Sequence, residues 1–206
     1  MASMTASDAL FAPDDYFRVH ELHELFADHE KPFEVDLGCG DGEFLQGMAA
    51  HHPERNFLGV ERLIGRIDKT RKRITEHKLT NARVLRLEST YTIAWLLPEH
   101  CVSRVHLLCP DPWPKKKHEQ RRLVNDESFL KALERALVPG GEFLLKTDDA
   151  PYFQSALESF AKRDAFEQLD WPEDAFYYPK TGFETDWLAL GKTIRRARWR
   201  LRQLVA

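Results

Sequence analysis

The residues best placed to do chemistry fall in two short loops. In the first, Asp36 precedes Gly38, Gly40 and Gly42, and Glu61 follows roughly twenty residues on. Glycines at alternate positions let a backbone turn tightly and approach a ligand closely. A carboxylate ending the following strand can accept hydrogen bonds from both hydroxyls of a ribose. The second loop, Pro110-Asp111-Pro112-Trp113-Pro114, is stiffened by its three prolines. It offers a carboxylate and a flat indole beside Lys115, Lys116 and Lys117. An aromatic face next to clustered positive charge suits a nucleic-acid base and its phosphate. The Asp111 carboxylate could also accept from the N1 and N2 donors of guanine. The plainer alternative is a rigid surface turn with a lysine run.

Two cofactor classes compete for the glycine loop. The dinucleotide pattern G-x-G-x-x-G is not complete, because the third glycine comes one residue early. A dinucleotide would also seat its pyrophosphate on the helix N-terminus. S-adenosylmethionine carries an ammonium and a sulfonium and no phosphate. Asp36, helped by Asp41 and Glu43, makes the loop acidic, which favours the cationic ligand.

Elements that would hold these loops can be read from the apolar pattern. Strands are expected at Phe33 to Leu37, Asn56 to Val60, Ala82 to Leu87, Ser103 to Cys109, Glu142 to Lys146, Phe166 to Leu169 and Ile194 to Arg200. Helices are expected at Val19 to Phe26, Glu43 to His51, Leu63 to His77, Thr90 to Leu97, Asp126 to Leu137 and Pro151 to Arg163. Pro139-Gly140-Gly141 reads as a stop, and residues 171–184 as a loop. Alternating strands and helices give an α/β sandwich on a mostly parallel sheet. Ligands then bind at the carboxyl ends of its strands. Residues 1–30 form an acidic, partly flexible N-terminal arm, and residues 31–206 a single domain.

The net charge of −3 hides an uneven distribution. Basic blocks run from Arg62 to Arg86, Lys115 to Arg122 and Lys192 to Arg202, while the first fifty residues are acidic. Together they predict a positive face for a polyanion. No apolar run is long enough for a membrane span or a secretory signal. Cys39, Cys101 and Cys109 form no paired motif and read as reduced thiols of a cytoplasmic protein. No metal is expected, although His20, His23 and His29 share the arm.

Several of these motifs together resemble the tRNA (guanine-N7)-methyltransferases of the bacterial single-chain type. The likeness runs from about Phe33 to Arg200. It is carried by Val35 to Gly42, Gly59-Val60-Glu61, Pro110 to His118 continuing to Arg121-Arg122-Leu123, Pro139-Gly140-Gly141, Lys146 to Tyr152, and Thr181-Gly182-Phe183-Glu184. The resemblance implies a class I methyltransferase fold, a seven-stranded sheet with its last strand antiparallel. It implies S-adenosylmethionine bound through Asp36, Gly38, Gly40, Glu61, Glu88 and Asp111. It assigns substrate contact to Lys115, Asp148, Thr181, Gly182, Phe183 and Glu184, with Asp111 nearest the chemistry. The implied target is the guanine at position 46 of the tRNA variable loop. Two positions depart from the family pattern: Gly182 stands where lysine is usual, and Glu88 where aspartate is common.

Guanine N7 carries an in-plane lone pair and no proton, so its methylation needs no general base. In-line positioning lowers the barrier, and a carboxylate (Asp111 first, Asp148 second) favours the charge that develops on the ring. Because N7 is hard to reach in A-form RNA, the base must leave its stack. Trp113, Phe176, Tyr177 and Tyr178 are candidates to receive it. No obligatory protein partner is expected, and the chain acts as a monomer or homodimer. Three rivals stay open at this level: a methyltransferase of another RNA or of a small molecule, a non-catalytic RNA-binding protein on the same fold, and an NAD oxidoreductase.

Overall fold

The structure is a computed structural model that describes residues 9–203; residues 1–8 of the acidic arm lie outside it. In chain order the elements are β1 (Leu10–Phe11), α1 (Leu22–Leu25), β2 (Phe33–Leu37), α2 (Glu43–His51), β3 (Asn56–Glu61), α3 (Ile64–Glu76) and β4 (Ala82–Arg86). They continue with β5 (Val102–Leu108), α4 (Glu127–Ala136), β6 (Leu137–Thr147), α5 (Ala150–Ala161), β7 (Phe166–Leu169), α6 (Gly182–Ala189) and β8 (Arg195–Leu201). β2 and β3 are buried along their whole length. That is the condition of parallel strands covered by helices on both faces. Ile67, Thr70 and Ile74 form the buried stripe of α3, at the spacing of a helix with one face inward.

The strands form one sheet in the order β1-β4-β3-β2-β5-β6-β8-β7. Every pairing is parallel except those of β8, which runs antiparallel to β6 and to β7. The chain turns back on itself between β2 and β5, which opens a crevice at their carboxyl ends. Asp36, one residue from the end of β2, lies level with Gly59 on β3 and His106 on β5. Buried rings brace the far side of the sheet: the Phe160 ring stacks on Trp199 at 4.2 Å and on Phe143 at 5.2 Å.

Four local features differ from the sequence reading. The sheet has eight strands rather than seven, because Leu10 and Phe11 pair with Val84 and Leu85. Part of the open edge of β4 is thereby covered. Residues 171–184 do not all form a loop, since α6 begins at Gly182. The Thr181 hydroxyl accepts the Glu184 N–H at 3.0 Å, a Thr-x-x-Glu start that an apolar-periodicity search passes over. Pro139-Gly140-Gly141 does not precede β6 but lies inside it, opposite a shift in the β5–β6 register between Val102 and Arg104. The helix expected at Thr90 to Leu97 is a single α-turn, Ser89–Tyr91, running into a π-turn, Thr92–Leu96.

Candidate cofactor and substrate site

At the switch point a cavity of about 300 Å³ opens between the loop after β2 and the start of α6. Asp36, Gly38, Gly40, Arg66, Thr181, Gly182 and Phe183 all line it. The glycine turn and the Thr181 motif, about 140 residues apart in sequence, thus line the same cavity. Gly42 shows why the loop needs glycine. Its φ is +80°, and a Cβ there would meet the Thr70 side chain at 2.7 Å. A Cβ at Gly38 would meet nothing within 4 Å, which leaves that side open for a ligand.

Asp36 is the most unusual group in the cavity. It is buried, and its Oδ2 has no hydrogen-bond partner. Burial, and next the Glu61 charge, push its carboxyl up to about 7. Glu61 ends β3 and accepts the backbone N–H groups of Arg62 and Leu63 at 2.6 and 2.9 Å. Arg66, itself in the cavity wall, lies 3.9 Å from Glu61 and 5.5 Å from the centre of the Phe183 ring, so it links the end of β3 to the start of α6. The chain pattern gave no signal for Arg66, nor for Cys109, which lines the cavity with φ +47°. Glu88 stands apart at the end of the β4 edge, where its carboxylate accepts the Tyr91 N–H at 2.7 Å.

An orphaned buried carboxylate beside an open glycine turn fits a cationic ligand group. A pyrophosphate would meet repulsion there. Asp41 and Glu43, counted above as part of the acidic loop, are neutralised by Lys69 and Arg73, each at 2.7 Å. Glu61 has Arg66 at 3.9 Å, and the carboxylate left without a partner is that of Asp36.

The Thr181 segment is anchored from below. Lys146, buried at the end of β6, donates to both Glu184 carboxylate oxygens, at 2.8 and 3.0 Å. Its ammonium also lies 4.9 Å from the Tyr178 ring centre. Tyr178 donates to His106 Nδ1 at 2.7 Å, and His106 Nε2 donates to Glu34 at 2.8 Å. Burial pushes His106 down, so the neutral ring with its proton on Nε2 suits the network. Burial alone would raise Glu34, but His106, Arg104 and Arg55 hold it at about 2. A Cβ at Gly182 would meet Glu43 Oε2 at 2.5 Å, so the carboxylate of Glu43 fills the space of the side chain this chain lacks.

Asp111 and Lys115 are exposed on the loop after β5, outside the cavity wall. Asp111 Oδ1 accepts the Trp113 N–H at 3.1 Å, and Arg121 lies 5.0 Å from the Trp113 ring centre. Asp148 is half-buried after β6 and accepts from Lys192 at 3.0 Å. Of the aromatics considered for stacking, Trp113 is the one left near the exposed lysines. Tyr177 stacks on His51 at 3.7 Å, Phe176 on Trp171 at 5.8 Å, and Tyr178 is held by His106.

The basic blocks are less available than the sequence predicts. In α3, Arg66, Lys69, Arg71, Lys72 and Arg73 each face an acid. In the tail, Lys192, Arg196, Arg198, Arg200 and Arg202 pair with Asp148, Glu173, Glu142 and Glu167. Lys115, Lys116 and Lys117 remain exposed with no acid paired to them among the described residues. In the arm, Asp14, His20 and Glu24 converge, but the cation between them is Arg18, 2.8 Å from Asp14 and 2.6 Å from Glu24.

A doubly wound sheet with β8 reversed, and an acid-flanked glycine turn at its switch point, define a class I methyltransferase fold. Solved structures agree on the fold. The chain superposes on the 16S rRNA methyltransferase KamB with a TM-score of 0.60 at 18% identity, covering 86% of this chain and 94% of that one. For an rRNA methylase from Streptococcus thermophilus the values are 0.56 and 15%, with 84% and 88% covered. A family model described as putative methyltransferase matches residues 30–197. Among curated relatives, the tRNA (guanine-N(7)-)-methyltransferase of Syntrophotalea carbinolica is 36% identical over 81% of this chain and 72% of its own length. That of Chlorobium phaeobacteroides is 38% identical over 75% and 74%, and that of Geobacter metallireducens 31% over 88% and 87%. The chain belongs to the tRNA (guanine-N(7)-)-methyltransferase family.

Proposed function

We propose that this chain transfers the methyl group of S-adenosylmethionine to N7 of a guanine in tRNA, at position 46 of the variable loop. The observation that carries the reading is the orphaned carboxylate of Asp36 in its glycine turn, on the same sheet edge as the Asp111–Lys117 loop. Asp36 and the Gly38 to Gly42 turn would hold the amino-acid end of the cofactor, and Glu61 the ribose; Glu88 is the candidate for the adenine. When bound, the cofactor supplies a methyl group on a positively charged sulfur.

The remaining work falls to the chain's own residues. Trp113 stacks on the extruded base, and Lys115 to Lys117 meet the adjoining phosphates. The carboxylate of Asp111, with Asp148 behind it, faces the ring as its positive charge grows. Thr181 and Phe183 close the cavity. Glu184, already engaged by Lys146, acts in this reading by holding α6 in place. Gly182 leaves that wall with one cation fewer than the family pattern implies. No step calls for a metal.

No helix among the described residues is long and apolar enough to cross a membrane. A cytoplasmic location, and action as a monomer or homodimer without an obligatory protein partner, accompany this reading.

The test is to incubate the chain with methyl-labelled S-adenosylmethionine and an unmodified tRNA transcript, then analyse the nucleosides. Label in 7-methylguanosine, lost when position 46 is changed to adenine, is the expected result. Label in any other nucleoside, or none, overturns the reading. Glu61→Gln keeps the side-chain oxygen that accepts from Arg62 and Leu63 but removes the charge. It should weaken cofactor binding about tenfold, measured by calorimetry, with no loss of melting temperature. Unaltered affinity would take Glu61 out of the site.

A further inference from the structure

Arg122 lies outside the cavity, yet it is one of the most buried charged residues of the chain, at 2% exposure. Its Nε donates to the carbonyl of Pro112 at 3.0 Å. Its Nη1 donates to Ser155 Oγ at 3.0 Å and lies 3.8 Å from Glu119. Nη2 lies 4.0 Å from Asp149 Oδ1, and the guanidinium covers the Tyr152 ring at 5.7 Å. One side chain therefore joins the loop after β5 to the turn and helix after β6. The points it grips are informative: Pro112 follows Asp111, and Asp149 follows Asp148.

The backbone of the same loop is strained at one residue. Trp113 has φ +45°, in the left-handed region that a residue with a bulky side chain avoids. Such a conformation is strained and persists only where the surroundings over-determine it. The restraints at Trp113 are the Asp111 carboxylate on its N–H, Arg121 over its ring, and Arg122 on the carbonyl just before it.

We infer that Arg122 is a positioning residue for methyl transfer: it fixes the Asp111–Trp113 loop against the Asp148–Asp149 turn, and so sets the gap in which the target guanine is held. The inference rests on the proposed function, which places Asp111 and Asp148 at the base. The planar fork of an arginine can hold a carbonyl, a hydroxyl and a carboxylate in fixed directions at once. A lysine keeps the charge and loses that geometry. Arg122 itself touches no reacting atom.

The experiment uses the full chain and the variants Arg122→Lys and Ser155→Ala. Single-turnover methylation of tRNA is followed with both substrates saturating, alongside cofactor affinity, melting temperature and amide hydrogen exchange. For Arg122→Lys the expected rate is about 100-fold below the parent, because a small misplacement of reacting groups has effects of that size. Cofactor affinity should stay unchanged, and exchange should rise together in residues 110–122 and 148–155. Ser155→Ala removes one of the bonds and should slow transfer about threefold to tenfold. A folded Arg122→Lys protein with the parent's rate overturns the inference. Should that variant fail to fold, Ser155→Ala decides, and a parental rate with parental exchange is the overturning result. If the parent chain methylates no tRNA, the proposed function fails on its own. The exchange measurement then still decides, and a rise in one segment alone, or in neither, overturns the clamp.

Discussion

Asp36→Asn is expected to bind S-adenosylmethionine about 100-fold more weakly than the parent, and yet to melt at a higher temperature at pH 8. Both effects have one cause. The Asp36 carboxyl is buried, carries an oxygen without a partner, and titrates at about 7 rather than near 3.8. Between those two values the folded chain holds a proton that the unfolded chain has released. Stability without ligand therefore falls as pH rises through this window, by up to about 1.4 kcal/mol per unit. Above the window the ionised group is fully unfavourable to the empty fold, and asparagine removes that burden. The gain in melting temperature should be large at pH 8 and small near pH 4.

Cofactor binding shows the opposite sign. An ammonium or sulfonium beside Asp36 favours the ionised form, so parental affinity should rise from pH 6 to pH 8, and binding below pH 7 should release a proton. Calorimetry in buffers of different ionisation heat measures that proton. In Asp36→Asn the affinity should be flat with pH. A variant that keeps the parental pH dependence, or gains no stability at pH 8, would remove Asp36 from the role given to it.

Asp111→Asn should lower the single-turnover methylation rate by about 100-fold to 1000-fold, the range for losing one electrostatic group aimed at developing charge. Asparagine is the instructive replacement because its side-chain oxygen can still accept the Trp113 N–H and keep the turn. Alanine would release the turn and mix two effects. Melting temperature should be unchanged. Rapid-quench measurement with saturating tRNA isolates the chemical step, and a rate within about threefold of the parent would mean the carboxylate does not face the ring.

Much of the site's framework was legible in the chain. β2, α2 and β7 lie where apolar spacing and glycine or proline punctuation put them. The reason is local: a central strand such as Phe33–Leu37 has one way to bury its side chains, and Gly42 has one way to turn. The switch-point cavity also falls where topology requires. What escaped depended on partners distant in sequence. β1 forms because β4 has an open edge, which nothing near Leu10 reveals. α6 has a capping signature but little apolar periodicity. The basic blocks looked like a surface for a polyanion, and most of their cations turned out to face acids of this same chain. Glu142 alone is approached by Arg104, Arg198 and Arg200. Net charge along a sequence counts ions without saying which are already neutralised. Lys146 was legible only as a letter in a motif, and its bond to Glu184 spans 38 residues.

The placement of β8 has a consequence for synthesis. Every residue assigned to the site precedes residue 190, but β8, at Arg195–Leu201, is the strand that joins β6 to β7. A nascent chain still holding those residues in the ribosomal tunnel leaves β6 with an open edge and Trp199 missing from the stack on Phe160. Asp148, too, would lack Lys192 and the donor that Arg195 brings to its carbonyl. Folding by growth from the N-terminus therefore includes a late insertion of β8 between β6 and β7, a non-local step of the kind that proceeds slowly. Until it is complete, the turn at Asp148 stands without the two basic residues that hold it.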